Sequence, residues 1–73
     1  MESLYSYQTP RGIIYIYRIE HLYYSMLTGT VLKTSGSPEQ LASALADGLA
    51  VPGVIDTAGL GIPRDLQKWE RLF

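Results

Sequence analysis

Residues 12–19 read GIIYIYRI, and this stretch decides which fold class the sequence supports. Isoleucine and tyrosine dominate it, and both fit the pleated, half-buried surface of a β-sheet. Successive residues of a strand point to opposite faces, so Tyr15 and Tyr17 share one face while Ile14 and Ile16 share the other. The stretch therefore predicts a strand that carries large side chains on both faces.

The segment before it, residues 4–8 (LYSYQ), is also rich in tyrosine. Residues 9–12 (TPRG) join the two segments with proline at the second position and glycine at the fourth, which suits a type I turn. If Thr9 and Gly12 close this turn, the two segments form an antiparallel hairpin. The expected cross-strand pairs are Tyr7 with Ile14, Tyr5 with Ile16, Ser6 with Tyr15, and Leu4 with Tyr17.

A second hairpin is predicted from residues 22–27 (LYYSML) and 30–33 (TVLK), which flank Thr28 and Gly29. A two-residue turn of this kind requires a positive φ, to which Thr28 is poorly suited. The expected pairs are Leu27 with Thr30 and Met26 with Val31.

The same region also fits a helix, because apolar residues recur at helical spacing before a possible stop at Gly29. We favour strands because tyrosine, isoleucine and threonine are mediocre helix formers. The residues at helical spacing are Ile16, Ile19, Leu22, Tyr23 and Met26.

In the second half of the chain, the spacing of apolar residues changes from that of a strand to that of a helix. Residues 37–40 (SPEQ) predict the start of a helix, with Ser37 as the cap, Pro38 in the first helical position and Gln40 in the capping box. Leucine then recurs every four residues, and Gly48 falls near the end of the pattern. The leucines are Leu41, Leu45 and Leu49. Residues 50–61, which glycine and proline interrupt, are expected to form a loop or a short strand.

A last helix is expected from Pro63 to about Leu72, with Leu66, Trp69 and Phe73 on one side. The sequence therefore predicts one α+β domain over residues 1–73, strand-rich over 1–34 and helical over 37–73. Its expected architecture is an antiparallel meander of three or four strands (residues 4–34) followed by two short helices packed on one face.

Residues 54–61 (VIDTAGLG) contain the segment most suggestive of chemistry. Asp56-Thr57-Ala58-Gly59 is similar to the DTAG of small GTPases, and it weakly resembles the DTG of dimeric aspartic proteases. A GTPase also needs a phosphate-binding GxxxxGK[ST] loop, which this sequence lacks, and the chain is too short for the protease cleft. We therefore expect Asp56 and Thr57 to hold a turn through side-chain hydrogen bonds.

Other catalytic chemistry finds little support. His21 is the single histidine, and no nucleophile or orienting group can be assigned to it from the sequence. The chain has no cysteine, so it can form neither disulfides nor metal sites with thiolate ligands. We expect no catalytic residues, no metal site and no cofactor. If the protein were an enzyme, Asp56 and His21 would be the candidates.

Length, composition and charge limit the classes of protein to which this chain can belong. A chain of 73 residues with 47% hydrophobic residues is too apolar to be disordered. At this length it buries only about 60% of its unfolded surface, so it needs efficient packing or a partner. The net charge of −1 lacks the basic excess of a phosphate-backbone binder. No signal-peptide or membrane-spanning pattern is present, so we expect a cytoplasmic protein that does not bind membranes.

All six tyrosines lie in the first 24 residues. Two helices can cover one face of the sheet, and the other would expose an apolar patch that favours pairing with a second copy. We therefore expect a non-enzymatic, self-associating protein, a homodimer that also binds a protein partner through the tyrosine-rich sheet. The alternative is a single-stranded nucleic-acid binder that stacks bases on tyrosine and arginine. The candidate binding residues are Tyr5, Tyr7, Tyr15, Tyr17, Arg18, Tyr23 and Tyr24.

Overall fold

Two successive hairpins build the main sheet of the protein. The structure, a computed structural model, describes residues 2–73 and consists of seven strands, one α-helix and one 3₁₀ turn over those residues. The elements in chain order are β1 (Glu2–Thr9), β2 (Gly12–Ile19), β3 (Leu22–Leu27), β4 (Thr30–Ser35), α1 (Pro38–Asp47), β5 (Ala50–Val51), β6 (Ile55–Asp56), the 3₁₀ turn (Leu66–Lys68) and β7 (Glu70–Arg71).

The five strands of the main sheet follow the order β4-β3-β2-β1-β7, and every neighbouring pair is antiparallel. Strands β5 and β6 form a separate small hairpin. An α+β fold with an antiparallel sheet is thus confirmed. The expected count of three or four strands is not exact, because β7 adds a fifth strand to the sheet.

The first hairpin has the expected register over most of its length. Tyr7 faces Ile14, Tyr5 faces Ile16, Ser6 faces Tyr15 and Thr9 faces Gly12. The expected pairing of Leu4 with Tyr17 is wrong, because Leu4 is the extra residue of a β-bulge and Ser3 lies opposite Tyr17. The Leu4 carbonyl accepts a hydrogen bond from the Leu72 backbone N–H (2.9 Å). A register counted from the turn assumes even spacing and does not include such a bulge.

The second hairpin is also confirmed, so the alternative of a helix in this region is wrong. Leu27 faces Thr30 and Met26 faces Val31. Thr28 (φ 47°) and Gly29 (φ 80°) both have positive φ, as a type I′ turn requires. The tight turn thus forces Thr28 into a conformation that a β-branched residue disfavours.

Helix α1 begins where the sequence predicts. The Ser37 hydroxyl accepts a hydrogen bond from the Gln40 N–H (3.3 Å), and the helix ends before Gly48, which has φ 106°. Leu41 and Leu45 are fully buried against one face of the sheet, where Ile14 and Ile16 are also fully buried. The core therefore lies between α1 and that face.

The expectation of a second helix over residues 63–72 is wrong. The chain makes only the 3₁₀ turn and then extends at Trp69 (φ −87°, ψ 157°). Glu70 and Arg71 then pair with β1. The edge of β1 offers backbone hydrogen-bonding groups that a helix could not use, so pairing there replaces helix formation. Within residues 2–73, no helix is long and apolar enough to cross a membrane.

Candidate functional site

The candidate site is the side of the main sheet that faces away from α1. Residues directly opposite each other on neighbouring antiparallel strands share a face, so the register assigns four rows to this side. We call these rows together the outer face. They are Gln8 and Ile13; Glu70, Ser6, Tyr15, Met26 and Val31; Ser3, Tyr17, Tyr24 and Thr34; and Ile19 and Leu22.

The outer face keeps its apolar side chains accessible to solvent. Ile13, Ile19, Leu22 and Val31 have between 39% and 46% of their surface exposed. On the opposite side, Ile14, Ile16 and Ser25 are 0% exposed. A side chain on a sheet is always shielded sideways by its neighbours, so values near 40% fit a face that has no cover.

The aromatic side chains of the outer face pack against one another. The Tyr15 and Tyr17 rings have centroids 5.7 Å apart at an angle of 31°. Tyr24 lies directly opposite Tyr17 on the neighbouring strand. These three tyrosines and Met26 are half-buried, since each is flanked by large neighbours. They form the centre of the face, and the four exposed aliphatic residues surround them.

The outer face has almost no charge. Among residues 2–73, Glu70 is the one acidic side chain in its rows, and it lies at the β7 rim, where it accepts a hydrogen bond from the Ser6 hydroxyl (3.3 Å). No lysine or arginine belongs to the described rows. The face therefore lacks the positive groups that phosphate recognition requires.

The structure divides the seven candidate binding residues between the two faces. Tyr15, Tyr17 and Tyr24 lie on the outer face. Tyr5, Tyr7 and Tyr23 pack against the buried core instead. Arg18 lies opposite Tyr23, in a row of the inner face, and its guanidinium pairs with the Glu2 carboxylate (2.5 Å). Arg18 is therefore separated from the three outer tyrosines, and one flat tyrosine–arginine surface does not form.

Five large apolar residues of the outer face are absent from the candidate set that the sequence provided, namely Ile13, Ile19, Leu22, Met26 and Val31. Leu22, Met26 and Val31 lie opposite Ile19, Tyr15 and Met26, respectively. The sequence contained the information to find them, because the register of β2 extended across β3 and β4 reaches all three residues. A candidate set chosen by tyrosine content does not include these aliphatic and methionine side chains.

The VIDTAGLG segment has a structural role in the fold. The Thr57 hydroxyl donates to the Leu45 carbonyl (2.8 Å) and accepts from the Leu49 N–H (2.6 Å). The Thr57 backbone N–H donates to the Leu49 carbonyl (2.9 Å). Thr57 is only 1% exposed, so these bonds satisfy buried groups where α1 ends.

The structure gives Asp56 a turn-forming role and places His21 in an exposed turn. The exposed Asp56 carboxylate accepts from the Ala58 N–H (2.9 Å), which is the side-chain turn expected from the sequence. His21 is exposed in the turn between β2 and β3. In the described part of the chain, no group of three or more histidine, aspartate or glutamate side chains could hold a metal ion.

Two charged groups with altered titration lie away from the outer face. A hydrogen bond from the Ser37 hydroxyl lowers the pKa of Glu39, in the first turn of α1. A hydrogen bond with Asp47 raises the pKa of Arg64, and these two side chains form an exposed ion pair. Both interactions concern the ends of α1 and contribute nothing to the chemistry of the outer face.

Comparison with protein-family models, with curated proteins and with solved structures finds no significant match to this chain.

Proposed function

We propose that this protein is a non-enzymatic interaction module that associates with a second copy of itself through the outer face. The observation that carries the proposal is a four-stranded surface with eight large apolar or aromatic side chains. Among the described residues it has no lysine or arginine and a single acid at its rim. Burying such apolar surface is favourable by about 25 cal/mol per Å². Action in the cytoplasm stays a prediction from the sequence.

Charge supports a second copy as the occupant. In a twofold dimer the same patch meets itself, so a charge near its centre would meet a like charge. The central residues Tyr15, Tyr17, Tyr24 and Met26 avoid this repulsion because none is charged at neutral pH. A strongly basic or acidic partner would find no complementary charge there. The face suits an apolar, uncharged counterpart, and its own copy is one.

The size of the face sets the expected strength. Four strands at about 4.8 Å spacing and about 20 Å of strand length give a projected area of about 400 Å². This is roughly a tenth of the accessible surface of 4378 Å². Two copies would bury about 800 Å² in projection and more along the raised side chains, which is at the low end for specific complexes. We expect a dimer in the micromolar range that dissociates on dilution.

Adjacent residues of β4 offer a matched test. Val31 lies on the outer face and Thr30, next to it, lies opposite the buried Leu27 on the other side. Both are exposed, so neither substitution should unfold the sheet. Light scattering should show that Val31→Glu reduces dimer formation at least about tenfold, because two like charges would be brought together. Thr30→Glu adds the same charge and should leave the mass unchanged.

The nucleic-acid alternative has weaker support, because Arg18 and the outer tyrosines lie on opposite sides of the sheet. It makes a different prediction, namely salt-sensitive binding to single strands. A wild-type protein that stays monomeric and binds an oligonucleotide at low salt would replace the dimer proposal with this one.

A further inference from the structure

A second surface lies at the β7 edge of the sheet, on the side of α1. It is a cleft of about 480 Å³, within the size range of ligand-binding pockets. Tyr5 and Arg71 lie opposite each other in one inner row, and this places the cleft away from the outer face. The lining residues are Tyr5, Leu66, Gln67, Trp69 and Arg71.

Arg71 differs from the other arginines in its contacts. Arg18 and Arg64 pair with carboxylates, and Arg11 donates to the Val54 carbonyl (3.1 Å). Within residues 2–73, the Arg71 guanidinium has no oxygen acceptor and lies 4.4 Å from the centre of the Phe73 ring. This stacking restrains the guanidinium while its N–H donors stay available for an anion.

The Phe73 ring is itself held in place. It meets the Tyr5 ring edge-on, with centroids 5.6 Å apart. Tyr5 and Arg71, which both line the cleft, thus both contact the Phe73 ring. Trp69, which is 4% exposed, and Leu66 line the cleft beside this cationic group.

The backbone of β7 provides a third recognition element. The Leu72 N–H bonds to the Leu4 carbonyl, and antiparallel strands alternate the direction of their hydrogen-bonding groups. The N–H and C=O of Arg71 therefore point outward from the edge of the sheet. An extended peptide added there would find backbone partners next to the cleft.

We propose that this cleft binds an extended peptide segment in which an acidic residue and an apolar residue are two positions apart. Side chains at positions i and i+2 of a strand share a face, so both reach the same side of the sheet. The acidic group would receive the Arg71 N–H donors, and the apolar side chain would lie against Leu66 and Trp69. Charge complementarity selects the acid, since Arg71 is the one formally charged lining residue at neutral pH.

The single tryptophan makes the site directly measurable, since Trp69 lines the cleft. The probe is the acetylated, amidated pentapeptide Thr-Glu-Thr-Leu-Thr, and tryptophan emission is followed during titration. We expect saturable binding that weakens about tenfold or more when glutamine replaces the peptide's glutamate or in Arg71→Gln. Arg71→Lys should give an intermediate affinity, because lysine keeps the charge and loses the planar donors.

Controls separate this site from the outer face. Arg64→Gln removes an arginine elsewhere and should bind the peptide like the wild type. Val31→Glu should also bind it normally even when the dimer is lost, so failure of either proposal can be recognised. Equal affinity for the glutamate and glutamine peptides, unchanged binding by Arg71→Gln, or no saturable change in emission would overturn the inference.

Discussion

Thr57 illustrates how one side chain can complete a helix end. Its hydroxyl bonds to two backbone groups, the Leu45 carbonyl and the Leu49 N–H, at the point where α1 ends at Gly48. No buried side-chain polar atom among the described residues lacks a hydrogen-bond partner. The residue that resembles part of a nucleotide-binding motif is thus accounted for by the backbone groups that it satisfies.

Thr57→Val tests this role, because valine keeps the shape and removes the hydroxyl. The Leu49 N–H would lose its partner, and the Leu45 carbonyl would keep only the Gly48 N–H, so we expect the free energy of unfolding to fall by about 1–3 kcal/mol. Urea denaturation measures the change. Asp56→Asn is the control, since an amide oxygen can still accept from Ala58, and it should change stability by less than about 0.5 kcal/mol. Equal effects of the two variants would contradict the assignment.

At Thr28, the turn requires a backbone conformation that the threonine side chain disfavours. Its φ of 47° is disfavoured for a β-branched residue, whereas asparagine before glycine is the preferred pair of a type I′ turn. Thr28→Asn should therefore raise the free energy of unfolding by about 0.5–1 kcal/mol, measured by thermal denaturation. Thr34→Asn, in a regular strand, should give no gain. A loss of stability in Thr28→Asn would show that the turn has another geometry.

At the scale of elements, the start of α1 couples stability to pH. The Ser37 hydroxyl donates to the Glu39 carboxylate (2.7 Å) and thereby lowers the pKa of Glu39 below its ordinary value of 4.5. A lowered pKa in the folded state means that Glu39 stabilises the protein above pH 4.5. This contribution is lost as the pH falls through the folded pKa.

Ser37→Ala should have two separable effects. The loss of the helix cap should cost about 1 kcal/mol of unfolding free energy at neutral pH. The pKa of Glu39, followed by NMR titration, should return towards 4.5 because its main stabilising hydrogen bond is gone. A helix with unchanged stability and an unchanged Glu39 pKa would contradict the capping geometry.

Local patterns predicted most elements correctly. Proline in the turn at residues 9–12, the alternation in GIIYIYRI and the SPEQ helix start each act through neighbours along the chain, and each gave the right element. Residues 63–72 did not follow their local pattern. Their strand depends on the free edge of β1, some sixty residues away in sequence, and helical periodicity carries no information about that edge.

At the scale of the whole molecule, one face of the sheet has cover and the other does not. The sequence predicted that Tyr5 and Tyr7 lie on the opposite face from Tyr15 and Tyr17, and that the helical half could cover a single face. It did not predict which of the two faces the helical half would cover. Tyr5 and Tyr7 pack on the core, whereas Tyr15 and Tyr17 stay outside. The candidate surface extends across four strands because Met26 of β3 lies opposite Tyr15 and Val31 of β4 lies opposite Met26.

The mass of the wild-type protein in solution, measured by sedimentation equilibrium over a range of concentrations, tests the central claim most directly. We predict a weight-average mass that rises from the 8.1 kDa of one chain towards twice that value in the micromolar range. A mass that stays at 8.1 kDa up to a protein concentration of about 1 mM would mean that any dissociation constant exceeds about 1 mM. That result would contradict self-association through the outer face.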